Sequence, residues 1–289
     1  MSGHDAAPPR RRSRLFWVPA PLRNALSARA DRWACTRFGE VVRRGIERGG
    51  PSPGVTRLAT DSFKALFEPG DQEVQPDPVV RQAIVDQFHK LYHASGDTTW
   101  KNTRYRGVRV LKIPFDLWIY QELLDELRPE LIIETGTFSG GSALFFADLC
   151  ELFGRGRILS IDIDAQPNRP THERITYLHG SSISDEIMER VRAEIPTEGP
   201  VLVLLDSDHS AAHVREELRL YSPFATVGSY VVVEDTTVDD VLPFYGPGPM
   251  VAVEEFLAKT DEFEIDPSRE KLLLTSNRKG YLRRVRATP

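Results

Sequence analysis

The chain has little of what would place it in several large protein classes. Only two cysteines, Cys35 and Cys150, occur in 289 residues, which excludes a disulfide scaffold and suits a reducing compartment. No apolar run approaches the roughly 20 residues that span a bilayer, and no short basic start leading into an apolar stretch marks a signal peptide. A cytoplasmic location is therefore expected. The glycine-rich turn in mid-chain is not followed by the Lys-Ser/Thr of a phosphate-cradling loop and does not have the spacing of a dinucleotide loop, so a nucleoside triphosphate or NAD is disfavoured there. Acids are scarce at the start. Residues 1–57 carry twelve Arg against four Asp and Glu, whereas the whole chain has a net charge of −5.

What is present begins with Leu131-Ile132-Ile133-Glu134-Thr135-Gly136-Thr137-Phe138-Ser139-Gly140-Gly141-Ser142. An apolar strand runs into a glycine-rich turn that opens a helix. Glycines allow positive φ and close approach of the backbone to a ligand, and the free N–H groups of a helix start can face it. Glu134 at the mouth of this turn suits a ligand carrying an amine or a positive charge. S-adenosylmethionine carries both an ammonium and a sulfonium. Gly136, Thr137, Ser139, Gly140 and Ser142 are the candidate contacts around it, with Glu134.

A second buried-strand pattern, Gly156 to Asp164, ends in two carboxylates. An acid at that place, one βαβ unit on, accepts hydrogen bonds from a ribose diol in many nucleotide folds. Asp162 is the first choice and Asp164 the second. A third strand, Ile175 to His179, leads into Gly180-Ser181-Ser182, a polar turn suited to an adenine edge.

Two more strands, Val201 to Leu205 and Gly228 to Val233, are continuously apolar, as expected where both faces of a parallel sheet are covered. They end in Asp206-Ser207-Asp208-His209 and in Glu234-Asp235. In open parallel sheets, ligands sit at the carboxyl ends of the strands, so these groups are expected on the same rim as the glycine turn. Four crowded carboxylates repel one another, and a hard divalent cation such as Mg2+ relieves that repulsion. Asp206, Asp208, Glu234 and Asp235 are the candidate ligands. Asp208 or Ser210 also fits the start of the helix from Ala211 to Tyr221. Asp206 and His209 are the two candidates for the group that takes a proton in catalysis, and the residues leave that choice open.

The segments Trp118-Ile-Tyr-Gln-Glu, Ile133-Glu134-Thr-Gly-Thr, Gly140-Gly-Ser-Ala-Leu-Phe, Leu205-Asp206-Ser-Asp208-His209 and Val232-Val-Glu234-Asp235-Thr236 resemble the cephalosporin hydroxylase family. That family is a branch of class I S-adenosylmethionine-dependent methyltransferases that includes rhamnosyl O-methyltransferases. The resemblance spans roughly Trp100 to Val285. It implies an α/β, Rossmann-like fold with a mostly parallel seven-stranded sheet and an antiparallel C-terminal hairpin, S-adenosylmethionine at the Glu134 turn with Asp206 nearby, and Mg2+ or another hard divalent cation on the acids. The implied reaction is O-methylation of a sugar or a glycosylated natural product. A hydroxylase-like tailoring enzyme and a non-catalytic S-adenosylmethionine-binding partner are the alternatives. No His-x-Asp…His iron triad stands out to support the first, and the density of acids argues against the second.

Residues 1–75 are expected to be a basic tail and helical extension, and residues 76–289 the methyltransferase domain. Helical spacing runs through Leu22 to Arg48, and breaker-rich stretches lie at Gly49 to Gly54 and Gly70 to Pro78. The tail reads as solvated, with no nucleic-acid role, and the striped helix suits a homo-oligomer contact. Helices are expected at Pro78 to His93, Phe115 to Arg128 and Met250 to Lys259. Trp118 and Tyr120 are expected to pack into the core. Thr98 to Ile113 is an irregular lid or surface loop, and Phe244 to Pro249 shapes the acceptor pocket. Lys271 to Ser276 and Gly280 to Val285 are expected to form the closing hairpin.

Overall fold

The computed structural model describes residues 78–241 and 246–287. The helical extension, the breaker-rich stretches before Pro78, the proposed boundary at 75/76, and Phe244 and Tyr245 lie outside the described residues. The chain divides into two compact units, residues 1–81 and 82–289.

Helix α1 (Pro78–Ala94) is followed by a single 3-10 turn (Trp100–Asn102) and a short hairpin of β1 (Arg104–Tyr105) and β2 (Val108–Arg109). Then come α2 (Pro114–Leu127), β3 (Leu131–Thr135), α3 (Gly141–Leu152), β4 (Arg157–Asp162), β5 (Ile175–His179), α4 (Asp185–Glu194), β6 (Val201–Leu205), α5 (Ala211–Tyr221), β7 (Tyr230–Val233), the one-turn α6 (Val238–Val241), α7 (Pro249–Leu257), β8 (Phe263–Ile265) and β9 (Tyr281–Arg284). Pro114 starts α2 at a position where its missing N–H costs nothing. Ser184 and Ser210 cap α4 and α5 by accepting from Ile187 N and His213 N.

Seven strands form one sheet in the order β5-β4-β3-β6-β7-β9-β8. The first five are parallel, and β9 runs antiparallel to both β7 and β8. The apolar strands β3 and β6 are buried along their whole length because helices cover both faces. Side chains alternate between the faces. Ile132, Ile158, Leu202 and Val232 pack with Leu123 of α2 and Phe146 of α3, while Ile133, Leu159, Val203 and Val231 pack with Met188 of α4, Leu218 of α5 and Val253 of α7. Each such side chain contributes about 1.5–3 kcal/mol by leaving water.

From β3 the chain winds outward through β4 to β5, then returns to build β6 and β7 on the other side. The crevice at that reversal lies between the ends of β3 and β6, and it is where an open sheet of this kind holds its ligand.

Two expectations are corrected. The antiparallel C-terminal strands are present, but the partner of β9 is Phe263–Ile265 and not Lys271 to Ser276. Leu273 sits at φ 72°, and the segment from Lys271 turns inward to bury Thr275, Ser276 and Asn277. Tyr120 is fully buried as expected, but Trp118 is 60% exposed, two positions along α2 and on its outer face.

Candidate active site

The turn after β3 is built by close packing. Gly136 has φ +86°, and a Cβ there would lie 1.8 Å from the Asp206 carbonyl oxygen at the end of β6. Only glycine allows the two strand ends to meet this closely. Gly136 N donates to Ile161 O at 2.8 Å, so the same turn is tied to β4 on its other side. Thr137 is buried, with its hydroxyl 2.7 Å from that of Ser160, and Ser160 also donates to Glu134 Oε2 at 2.7 Å. The other Glu134 oxygen, Oε1, is buried with no hydrogen-bond partner. Burial pushes the Glu134 carboxyl up, and the charge of Lys112 and the hydroxyls of Ser142 and Ser160 work against that, although Ser142 Oγ makes no hydrogen bond of normal geometry to Oε1. A buried carboxylate oxygen left unpaired is costly, and it fits the donor that an ammonium group supplies. Ser139 is half-buried and Gly140 and Ser142 are buried at the start of α3.

Asp162 is more occupied than its position suggests. Its Oδ2 accepts from Phe138 N at 2.6 Å and faces Arg169 Nη2 at 3.0 Å. Its Oδ1 accepts from Asp164 N at 2.8 Å. Arg169, its side chain only 7% exposed, also donates to Phe138 O and Asp164 O, each at 2.8 Å. Arg169 thus laces the glycine turn to the end of β4. Asp164 is exposed. Gly180 N donates to Asp162 O at 2.9 Å, which brings the third turn beside the second. Ser181 O accepts from Ser184, and Ser182 Oγ lies 3.1 Å from His213 Nε2.

At the ends of β6 and β7 the structure brings together Asp206, His209 and Asp235, whose ligand atoms all lie within 4.8 Å of one another. His209 Nε2 is 3.3 Å from Asp235 Oδ2. Asp235 has φ +53°, unusual for a residue with a side chain, and Asn277 Oδ1 holds its N–H at 3.0 Å. Asp208 is exposed and turned to the start of its own helix, accepting from Ser210 N at 2.7 Å; the Ser210 hydroxyl and then this N–H hold its carboxyl below the usual range. Glu234 is buried and meets a cation of the protein itself. Lys112 Nζ donates to both Glu234 oxygens at 2.6 Å and to Asp206 Oδ2 at 2.7 Å. Burial alone would depress the Lys112 ammonium, but Asp206 and Glu234 reverse this and raise it above the ordinary lysine range.

Helix α1 closes on the acid side. His89 is buried, with Nε2 3.5 Å from Thr237 Oγ1, and burial and His93 lower it to about 4, with Asp235 opposing. The His93 ring lies 5.0 Å from Trp100. The β1–β2 hairpin packs on α3, where Tyr105 donates to Asp148 and meets Phe145 edge-on at 5.2 Å.

The donors on this rim fit the groups a methyl-transfer site needs: an unpaired buried carboxylate oxygen beside a glycine turn, and an oxygen-rich cluster with one imidazole suited to a hard cation. The family model "Rhamnosyl O-methyltransferase/CmcI" matches residues 97–285. A rhamnosyl O-methyltransferase of Mycobacterium bovis (strain BCG / Pasteur 1173P2) is 37% identical over 257 residues, covering 85% of this chain and 99% of the relative. The chain belongs to this family. It is an S-adenosylmethionine-dependent O-methyltransferase. A rhamnosyl O-methyltransferase of Mycobacterium leprae (strain TN) is 38% identical over 198 residues, covering 65% of this chain and 85% of the relative. Among solved structures, "CmcI-N160 apo-structure" superimposes with TM-score 0.54 at 24% identity, over 79% of this chain and 96% of that one. The protein described as "cmcI-D160 Mg-SAM" gives 0.53 at 23%, over 78% and 95%. Both share the fold.

Within this rhamnosyl O-methyltransferase/CmcI member, three side chains escaped the sequence reading: Lys112, Arg169 and Asn277. None lies in a periodic pattern. Lys112 precedes Ile113-Pro114, a helix-start signal that marks the neighbouring residues and says nothing of a lysine aimed at a site 94 and 122 residues away.

Proposed function

We propose that the protein is a metal-dependent O-methyltransferase that moves the methyl of S-adenosylmethionine to a hydroxyl of a sugar or glycosylated metabolite. The convergence of Asp206, His209 and Asp235 beside the Gly136 turn carries this reading. The match to rhamnosyl O-methyltransferases along nearly their whole length supports a sugar acceptor.

Glu134 Oε1 would take the ammonium of the cofactor, and the Gly136 to Ser142 backbone would lie against its methionine portion. Asp162, preset by Arg169, would meet the ribose diol, with Asp164 beyond it, and Gly180, Ser181 and Ser182 would face the adenine. Asp206, Glu234 and Asp235 would hold a divalent cation, with His209 beside them and Asp208 at the margin. When bound, that ion supplies Lewis acidity that makes an acceptor hydroxyl easier to deprotonate. His209, or the Asp206 oxygen left off the ion, would take the hydroxyl proton, and Asp235 orients the His209 ring through its 3.3 Å contact. The acceptor oxygen forms its bond to the methyl carbon as the carbon–sulfur bond breaks. Much of the acceleration comes from the rim holding both reactants in line.

Incubation with S-adenosylmethionine and simple rhamnosides or other deoxysugar glycosides, in Mg2+ and in chelator, tests the reading by mass spectrometry. A singly methylated glycoside formed in Mg2+ and absent in chelator is expected. Equal product in both would remove the metal from the mechanism.

A further inference from the structure

We infer that Lys112 is a built-in counter-cation of the acid site, and that a divalent ion must compete with its ammonium for Asp206 and Glu234. This rests on the metal-dependent reading above and extends it to a residue outside the sequence motifs.

Lysine is almost never fully buried unless paired. The Lys112 side chain is 3% exposed, and its ammonium contacts three carboxylate oxygens at 2.6–2.7 Å. Both oxygens of Glu234 face it, so the acid expected to bind metal already has a cation. The backbone is shaped to deliver it. Leu111, the preceding residue, sits at φ +60°, a conformation that costs energy for a branched, apolar residue. Just before it, the Arg109 carbonyl runs so close to the start of α3 that a Cβ on Gly141 would lie 2.1 Å from it. The irregular segment between β2 and α2 is thereby packed against the start of α3 while its Lys112 reaches the acids.

Four carboxylates, those of Glu134, Asp206, Glu234 and Asp235, stand in or beside this site, and Lys112 is the cation that contacts two of them. Without it, the mutual repulsion of Asp206 and Glu234 in a buried setting would oppose folding before any ion arrives. With it, the metal-free protein holds the two acids in register. The cost falls on metal affinity, because a unit positive charge a few ångströms from the ion opposes its entry.

The test is calorimetric titration of Mg2+ into the full chain, for wild type and for Lys112→Met, together with thermal unfolding in chelator and in Mg2+. In Lys112→Met the affinity for Mg2+ is expected to rise at least about tenfold, the midpoint in chelator to fall, and the rise in midpoint on adding Mg2+ to exceed that of wild type. Unchanged or weaker Mg2+ binding by a folded variant overturns the inference while leaving a metal-dependent enzyme in place. Binding by neither protein overturns both this inference and the metal-dependent reading. If the variant does not fold, wild type decides. Labelling of Lys112 with an amine-reactive ester, read by peptide mass spectrometry, is expected to speed up at least about fivefold in saturating Mg2+, because the ion loosens the ammonium from its carboxylates; an unchanged rate contradicts competition.

Discussion

The two halves of the catalytic rim are assembled differently. On the β3–β4–β5 side, the parts are consecutive or nearly so: Glu134, the glycine turn and α3 form one run, and Asp162 and Arg169 lie within a few residues of each other. On the β6–β7 side, Asp206 and Glu234 are joined by Lys112, 94 and 122 residues away in the chain, and Asp235 is held by Asn277, 42 residues on. The first half is a local motif stabilised by backbone geometry. The second is a long-range charge cluster stabilised by one buried cation. Damage to the first should abolish cofactor binding, and damage to the second should shift stability and ion affinity.

Gly136→Ala should have the largest effect. With 1.8 Å to the Asp206 carbonyl and φ +86°, the variant must pull β3 from β6, at a cost of at least about 3 kcal/mol. Thermal unfolding should show this, and cofactor binding should be lost. A variant that binds S-adenosylmethionine normally would show that the turn is not the cofactor seat. Next comes Glu234→Ala, which leaves Lys112 buried with Asp206 alone. Breaking such a pair costs about 3–5 kcal/mol, whereas the cofactor turn, tied by its own backbone to β4, should survive, so stability to denaturant should fall while S-adenosylmethionine affinity stays within about threefold of wild type. Equal loss of both would merge the two halves into one unit.

The acid half should also carry two opposed pH dependences. Burial pushes Asp116 up to about 6 from 3.8, against bonds from Ser276 N and Tyr281. The folded state therefore binds the extra proton, and this contribution is present below about 4 and lost as pH rises through 6. His89 is lowered from 6.5 to about 4, so its contribution is present above about 6.5 and lost as pH falls through 4. The two offset each other in wild type. Asp116→Asn should gain stability relative to wild type as pH rises from 4 to 6.5, and His89→Gln should lose it, each by about 2–3 kcal/mol. Chemical unfolding across that range checks both signs, and parallel curves for the three proteins would contradict the assignments.

The smallest effect is expected on the local side. Arg169→Ala removes the lacing between Phe138 O, Asp164 O and Asp162 but leaves Phe138 N on Asp162. Cofactor affinity should weaken about tenfold, roughly 1.4 kcal/mol, with the midpoint nearly unchanged. A loss on the scale of Gly136→Ala would make Arg169 part of the seat itself.

The same contrast explains what could be read from the residues alone. β3, its glycine turn and α3 were legible because an apolar run, three glycines and a helix start within twelve residues leave few alternatives. β6 and β7 were legible as strands from continuous apolar runs, and their terminal acids as a cluster from the geometry of parallel sheets. Which acid faces which partner was not. Asp208 spends its carboxylate on the Ser210 amide, and Glu234 on a lysine from a segment without periodicity. The segment Lys271 to Ser276 has a strand-like composition, Leu272-Leu273-Leu274-Thr275, yet it buries a polar turn because Asn277 must reach Asp235, Tyr120 and Tyr281. Trp118 carried the same aromatic signal as Tyr120 and faces outward, since α2 has one face on the sheet and aromatic composition does not say which.

The most direct test of a two-part site is calorimetric titration of S-adenosylmethionine and of Mg2+ into the wild-type protein and Asp235→Asn. Both proteins are expected to bind S-adenosylmethionine with similar affinity, and only wild type to bind Mg2+. A folded wild-type protein that binds no S-adenosylmethionine would contradict a two-part site.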